Sequence, residues 1–95
     1  MREYHSTGSV WEEKGGFSRG LRAGDFVFVA GTTGFDYATG EISDDPAAQT
    51  RQCLHNVDVA LEALGASRAD VVRARYIAVS QEIWEVAMPI FGEYF

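Results

Sequence analysis

The chain is 95 residues long, a length that suits one domain and is too short for two. Eight basic against fourteen acidic residues give a formal net charge of −6, which disfavours non-specific binding to nucleic acids and to anionic membrane surfaces. The single cysteine excludes an internal disulfide, no cysteine and histidine cluster has zinc-ligand spacing, and no apolar run approaches the roughly 20 residues of a membrane span.

The first part of the chain predicts a β-hairpin. Residues from Gly16 to Arg22 read as a strand, Ala23-Gly24-Asp25 is a turn signal, and Phe26 to Ala30 is rich in β-forming residues. The second strand is apolar at every position, which predicts burial on both faces. Helices would cover one face, and a subunit interface would cover the other.

A helix is predicted between Asp45 and Gly65. Asp45 is a good N-cap, Pro46 suits the first helical position, and Gly65 suits the left-handed residue after the C-terminus. Apolar and small side chains recur at spacings of three and four and predict one face that packs on a sheet; they are Thr50, Leu54, Val57, Leu61 and Leu64.

The remainder of the chain predicts a turn, a strand and a last helix. Ser67 and Asp70 form a capping-box-like pair, and partial alternation over 71–79 predicts a strand, joined to the hairpin by a right-handed parallel crossover. Ser80 can cap a helix in which Pro89 causes a kink or separates two pieces. Its aromatic stripe needs a covering layer, so two further strands are expected beyond residue 95; the stripe is Trp84, Ala87, Met88, Phe91, Tyr94 and Phe95. These elements together predict the α+β class.

Three segments carry a resemblance to a known family: the block from Gly16 to Gly34, the run from Asp45 to Gln52, and Asn56. Their order and spacing resemble the YjgF/RidA family, the reactive-intermediate imine deaminases formerly described as L-PSP endoribonucleases. The resemblance implies a chorismate-mutase-like α+β fold, with a mixed sheet and two helices packed on one face. It further implies a single domain over residues 1–95 that lacks the family's last two strands, a homotrimer with sites between subunits, and no metal or organic cofactor.

The resemblance also implies a chemistry, the hydrolysis of a 2-imino acid to a 2-keto acid and ammonia. Catalysis then needs a clamp for the substrate carboxylate and a held water. The family's arginine clamp and water-positioning glutamate come from the segment beyond this chain, so no catalytic residue is assigned. Phe17, Ala30 and Met88 stand where the family often has tyrosine, serine and asparagine, which indicates a more apolar pocket.

The residues proposed for substrate binding each have a structural alternative. Gly31, Thr32, Thr33 and Gly34 could present backbone N–H groups to an anion, or only turn the chain after a strand. Phe17 and Met88, with Trp84, could line the cleft or pack in the core or an interface. Arg19 could act as an anion clamp from a neighbouring subunit or lie solvated on its strand.

Other polar groups favour structural interpretations. Cys53 and His55 are predicted as a buried thiol beside a surface imidazole. The acidic loop that contains Asp36, Glu41, Asp44 and Asp45 is predicted to be solvated and not metal-binding. Glu12, Glu13 and Lys14 are predicted to lie on the surface.

Three functions therefore stay open, and whether the chain is an enzyme is uncertain. They are an imine or enamine deaminase, a non-catalytic trimer that binds a small carboxylate, and an endoribonuclease or translation inhibitor. The acidic charge counts against the third and predicts no nucleic-acid partner. The polar N-terminus, unlike a signal peptide, predicts no membrane partner and a cytoplasmic location.

Overall fold

The computed structural model describes residues 2–95, which begin with a three-stranded antiparallel sheet. Strands β1 (Arg2–His5), β2 (Gly20–Ala23) and β3 (Phe26–Val29) pair in the order β1-β2-β3. The turn between β2 and β3 passes through Gly24, whose φ of 59° lies in the left-handed region that favours glycine. The predicted hairpin is confirmed.

A short helix, α1 (Val10–Gly15), precedes the hairpin, whose first strand therefore starts later than predicted. Ser9 accepts a hydrogen bond from the Trp11 amide at the N-terminus, and Gly16, with φ 67°, ends the helix. The predicted strand from Gly16 is wrong, because the chain is still leaving α1 there and the β2 ladder starts at Gly20.

The long helix α2 (Pro46–Ala63) begins and ends where the sequence predicts. The Asp45 side chain accepts a hydrogen bond from the Ala48 amide, and Gly65 has φ 80°. Arg22 of β2 donates from Nη1 to the Leu64 carbonyl at 2.9 Å, which ties the helix end to the sheet. Most of the predicted apolar face is buried, namely Thr50, Leu54, Leu61 and Leu64.

The last helix, α3 (Gln81–Tyr94), packs on α2 and forms the core with it. Ser80 accepts a hydrogen bond from the Ile83 amide, as a cap should. The helix is continuous through Pro89, so the alternative of two helical pieces is wrong. Proline removes one backbone donor, while Ile90 and Tyr94 beyond it stay buried against Leu54 of α2 and hold the second half in place.

The predicted strand over 71–79 forms no ladder with any other part of residues 2–95, and this prediction is wrong. The capping box of Ser67 and Asp70 is confirmed and closes a 3₁₀ turn over Arg68–Asp70. After it the chain runs without regular structure, with Val72 99% exposed. Alternating apolar residues favour extended backbone, but a strand also needs a hydrogen-bonded neighbour. The described sheets are accordingly antiparallel, without the expected parallel crossover.

A second, two-stranded sheet is formed by β4 (Phe35–Asp36) and β5 (Glu41–Ile42), and both β3 and β4 lie against α2. The face of β3 that points away from α2 is uncovered, since Phe26 is 69% and Phe28 is 58% exposed. Burial of β3 on both faces is therefore not achieved within one chain. The α+β class is confirmed, and residues 2–95 contain three α-helices where two were predicted.

Within residues 2–95, no helix has both the length and the apolar character that crossing a bilayer requires.

Candidate functional site

The centre of the candidate site is a buried ion pair between Arg19 and Glu12. Arg19, one residue before β2, is 1% exposed and Glu12 of α1 is 3% exposed, with Arg19 Nε 3.3 Å from Glu12 Oε2. The interpretations of Arg19 as a solvated arginine and of Glu12 as a surface residue are both wrong. The spacing of Ser9 and Glu12, a Ser-x-x-Glu helix-start signature, could have indicated α1 from the sequence.

Glu12 is surrounded by donors from the segment that precedes α1. Its Oε1 accepts hydrogen bonds from Ser6 Oγ at 2.7 Å and from the Thr7 amide at 2.9 Å, and its Oε2 accepts one from Thr7 Oγ1. Burial alone would raise the pKa of Glu12, but these hydrogen bonds and the Arg19 charge outweigh it and lower the pKa. Glu12 therefore stays ionised in the folded protein, and its negative charge cancels the positive charge of Arg19.

Arg19 connects this pair to the loop that follows β3. Its Nη1 donates to the Gly31 carbonyl at 2.6 Å and to Thr32 Oγ1 at 3.3 Å. The guanidinium carbon lies 5.4 Å from the centre of the Phe17 ring and 4.3 Å from that of Tyr37, within cation–π range of both. Phe17, Arg19, Gly31 and Thr32 are thus brought together by the fold.

The other side of the loop is attached to α2. Asn56 Nδ2 donates to the Thr33 carbonyl at 3.0 Å, and Cys53 Sγ donates to the Thr32 carbonyl at 3.2 Å. Gly34 lies so close to Gln49 that an added Cβ would come within 2.8 Å of its Cα. The loop is therefore held from the sheet side by Arg19 and from the helix side by α2.

The loop amides differ in what they contact. The Thr33 amide donates to the Tyr37 hydroxyl at 3.0 Å, so it is already engaged. The amides of Gly31 and Thr32 make no hydrogen bond to any group of residues 2–95. Gly31 is exposed, and a Cβ added there would meet nothing within 4 Å. Two successive unengaged amides beside an exposed glycine can donate hydrogen bonds to an anion.

The remaining predicted site residues lie in different places. Phe17 is 41% exposed at the edge of this cluster. Met88 is 52% exposed on α3, and the contacts that build the site do not include it. Trp84 packs with Tyr76 and Phe91 in an aromatic cluster whose Tyr76 and Phe91 rings stack at 4.1 Å.

The structural interpretation of the Cys53 and His55 pair is confirmed. Cys53 is half-buried under the loop, whereas His55 is exposed. Burial raises the pKa of the Cys53 thiol, which keeps it protonated and able to donate to the Thr32 carbonyl.

The acidic loop binds its own backbone. Asp36 Oδ1 accepts from the Ala38 amide at 2.9 Å, and Asp45 caps α2. No group of three or more potential metal ligands occurs within residues 2–95. An open groove of about 330 Å³ runs beside this loop. Gly34 lines it, but Gly31 and Thr32 do not; the other lining residues are Asp36, Glu41, Ile42, Ser43, Ala48 and Gln52.

Comparison with known proteins shows how widely this architecture is shared. The family model described as "Endoribonuclease L-PSP" matches residues 8–95. A RutC family protein of Pyrococcus horikoshii is 34% identical over 96 residues, which cover 100% of this chain and 76% of that relative. A 2-iminobutanoate/2-iminopropanoate deaminase of Salmonella typhimurium is 36% identical over 59 residues, or 62% of this chain and 46% of that relative. The chain thus spans from less than half to three quarters of the length of these relatives.

A solved structure shares the fold over the whole chain. It is a YjgF/YER057c/UK114 family member from Mycobacterium tuberculosis, which superposes with a TM-score of 0.88 at 38% identity and covers 100% of this chain and 75% of that one. With the match over residues 8–95, the fold and the sequence similarity agree. The chain belongs to the endoribonuclease L-PSP family, also known as the YjgF/RidA family.

Proposed function

We propose that the chain binds a small 2-imino or 2-keto carboxylate at the Gly31–Thr32 loop and takes part in imine or enamine hydrolysis. The observation that carries the proposal is the pair of unengaged amides at Gly31 and Thr32. The exposed ring of Phe17 packs against the same Arg19 guanidinium that contacts this loop. Two N–H groups can donate hydrogen bonds to the oxygens of one carboxylate, while an aromatic ring suits a short apolar side chain.

The proposed reaction follows from the chemistry of the imine. Water adds to the electrophilic carbon of the C=N bond, the C–N bond breaks, and the products are a 2-keto acid and ammonia. Holding the carboxylate fixes this carbon relative to the attacking water, which contributes through orientation. No residue of the chain is assigned to activate the water.

Support for this substrate class comes from two relatives. The Salmonella typhimurium relative is named as a 2-iminobutanoate/2-iminopropanoate deaminase. A relative from Arabidopsis thaliana, 28% identical over 95 residues, is named Reactive Intermediate Deaminase A.

A second candidate is binding without catalysis. Phe17 and Ala30 carry an aromatic ring and a methyl group, and no hydroxyl, at two positions where the family often has polar side chains. A pocket with few polar groups holds a ligand but offers little to a reacting water. An endoribonuclease function has weaker support, because the chain is acidic and its buried arginine is neutralised by Glu12.

We further propose that the protein is a homotrimer with the site between subunits. The open face of β3 exposes Phe26 and Phe28, large apolar side chains that a neighbouring subunit would cover. The cytoplasmic location also stays a prediction.

The test combines turnover and binding. The substrate, 2-iminobutanoate or 2-iminopropanoate, is generated in place by enzymatic dehydration of threonine or serine, and 2-keto acid formation is compared with and without the protein. Binding of 2-oxobutanoate is followed at the Gly31 and Thr32 amides by NMR. Accelerated hydrolysis supports the deaminase, binding alone supports the second candidate, and the absence of both refutes the proposal.

A further inference from the structure

We propose that Arg19, Glu12 and the hydroxyl of Thr32 form a relay that orients the two peptide planes on either side of Gly31, so that the Gly31 and Thr32 amides face a bound carboxylate. The inference rests on the proposed function, because it assigns positioning residues to the same site. These residues act through the loop and do not themselves contact the substrate.

The first step concerns the peptide plane between Gly31 and Thr32. In a trans peptide the C=O and the N–H point in opposite directions. The Gly31 carbonyl accepts the 2.6 Å hydrogen bond from Arg19 Nη1, so it points at the buried guanidinium. The Thr32 N–H of the same plane must therefore point away from the interior.

The second step concerns the plane between Ala30 and Gly31. Thr32 Oγ1 accepts a hydrogen bond from Arg19 Nη1 at 3.3 Å and donates one to the Ala30 carbonyl at 2.7 Å. The Ala30 carbonyl is thereby held on the side of the Thr32 hydroxyl, and the Gly31 N–H of that plane is directed the opposite way. One arginine thus sets both planes, the second through a hydroxyl.

The third step explains why such a relay is needed at this position. Glycine has the widest backbone freedom of any residue, and no side chain of Gly31 limits the loop. Holding two amides ready for an anion then requires hydrogen bonds from outside the loop. The guanidinium can supply them because Glu12 and the rings of Phe17 and Tyr37 hold it in one position.

The test separates positioning from folding. Thr32→Val removes the hydroxyl at nearly constant side-chain shape, and Thr32→Ser retains it. Thr50→Val is the matched control, because Thr50 Oγ1 also donates to a backbone carbonyl, that of Pro46 in α2. Amide NMR spectra, thermal unfolding and the Kd for 2-oxobutanoate are measured for each variant.

We expect Thr32→Val to move the Gly31 and Thr32 amide resonances and to weaken 2-oxobutanoate binding roughly tenfold, the equivalent of one hydrogen bond. Thr32→Ser should keep both properties close to wild type, and Thr50→Val should leave the loop resonances and the Kd unchanged. A Thr32→Val protein with unmoved loop amides and wild-type affinity would overturn the relay.

The double variant Glu12→Gln with Arg19→Met tests the other end of the relay. Replacing both members of the buried ion pair leaves no unpaired charge, whereas removing one strands a charge and is strongly destabilising. We expect this double variant to fold, to shift the Gly31 and Thr32 amide resonances and to bind 2-oxobutanoate more weakly. The control, Arg22→Met, should keep the wild-type loop resonances. A folded double variant with a wild-type loop would contradict the proposal.

Failure of the proposed function gives a different result. If the wild-type protein binds no 2-oxobutanoate and accelerates no imine hydrolysis, the proposed function is wrong. The relay is then decided by the loop resonances alone. Displacement in Thr32→Val with retention in Thr32→Ser supports it, and unchanged resonances in Thr32→Val refute it.

Discussion

Replacing Gly34 by alanine should destabilise the protein more than any other single added methyl group at its glycines. The new Cβ would lie 2.8 Å from the Cα and 2.9 Å from the carbonyl carbon of Gln49, and closer still to the carbonyl oxygen. Carbon atoms normally approach to about 3.5 Å, so the methyl group overlaps three atoms of the α2 backbone. These atoms cannot rotate away as a side chain could.

The cost can be estimated from overpacking. Inserting a methyl group into a packed site costs about 1–3 kcal/mol, and a rigid helix backbone places Gly34→Ala in the upper half of that range. For a domain of this size, about 2 kcal/mol lowers Tm by roughly 8–16 °C. The methyl group should also push the loop away from α2, so carboxylate binding at Gly31 and Thr32 should weaken together with stability.

Gly92→Ala is the matched control, because it makes the same chemical change in the last turn of α3. A Cβ at Gly92 meets nothing within 4 Å, so the substitution should stabilise the protein by about 0.5–1 kcal/mol. Both variants are unfolded by heat and by urea at one fixed protein concentration, with circular dichroism as the signal, because association would shift Tm. A Gly34→Ala protein as stable as wild type would refute the close-approach argument.

Three further predictions test other contacts. Because the pKa of Glu12 is lowered in the folded state, its stabilisation is present above the unfolded value of about 4.3 and is lost as pH falls through the folded pKa. Glu12→Gln leaves the buried Arg19 unpaired, so it should lower stability in urea at neutral pH and flatten the acid limb of the stability profile; wild-type and variant profiles that run parallel would contradict this. Tyr94→Phe deletes the 2.7 Å hydrogen bond from the Tyr94 hydroxyl to Asp58 and should lower the free energy of unfolding by about 1.5 kcal/mol. This is the lower end of the range for hydrogen bonds to a charged group, because Asp58 is partly exposed. An unchanged Tm would show that the bond contributes nothing. Asp45→Ala removes the cap on the Ala48 amide and should cost about 1 kcal/mol in denaturant unfolding, whereas Asp45→Asn should cost much less.

Helix ends were the most predictable part of the fold, because their signals are local. The cap at Asp45, the left-handed Gly65 and the cap at Ser80 each depend on atoms within a few residues along the chain. The capping box joins Ser67 and Asp70, which are three positions apart, and formed as predicted. Helix α1 was missed because its six residues carry no apolar periodicity, and only the Ser9 and Glu12 spacing indicates it.

Strand pairing was less predictable, because a strand depends on a partner that is distant in the sequence. The hairpin of β2 and β3 was accessible, since a two-residue turn at Gly24 joins its strands. Residues 71–79 have comparable β-forming character, yet no other part of residues 2–95 pairs with them. The pattern indicated extended backbone and could not indicate a neighbour.

The sequence by itself determined the family, the α+β class, the bounds of α2 and the start of α3, because these depend on motif order and on interactions between near neighbours. Only the tertiary structure decided the state of Arg19. An arginine beside a glycine-rich strand is solvated in most proteins, and its burial here depends on Glu12 from a separate helix and on the Gly31 carbonyl from a separate loop. A charge enters a protein interior only where partners from several elements converge, and that convergence is a property of the folded chain.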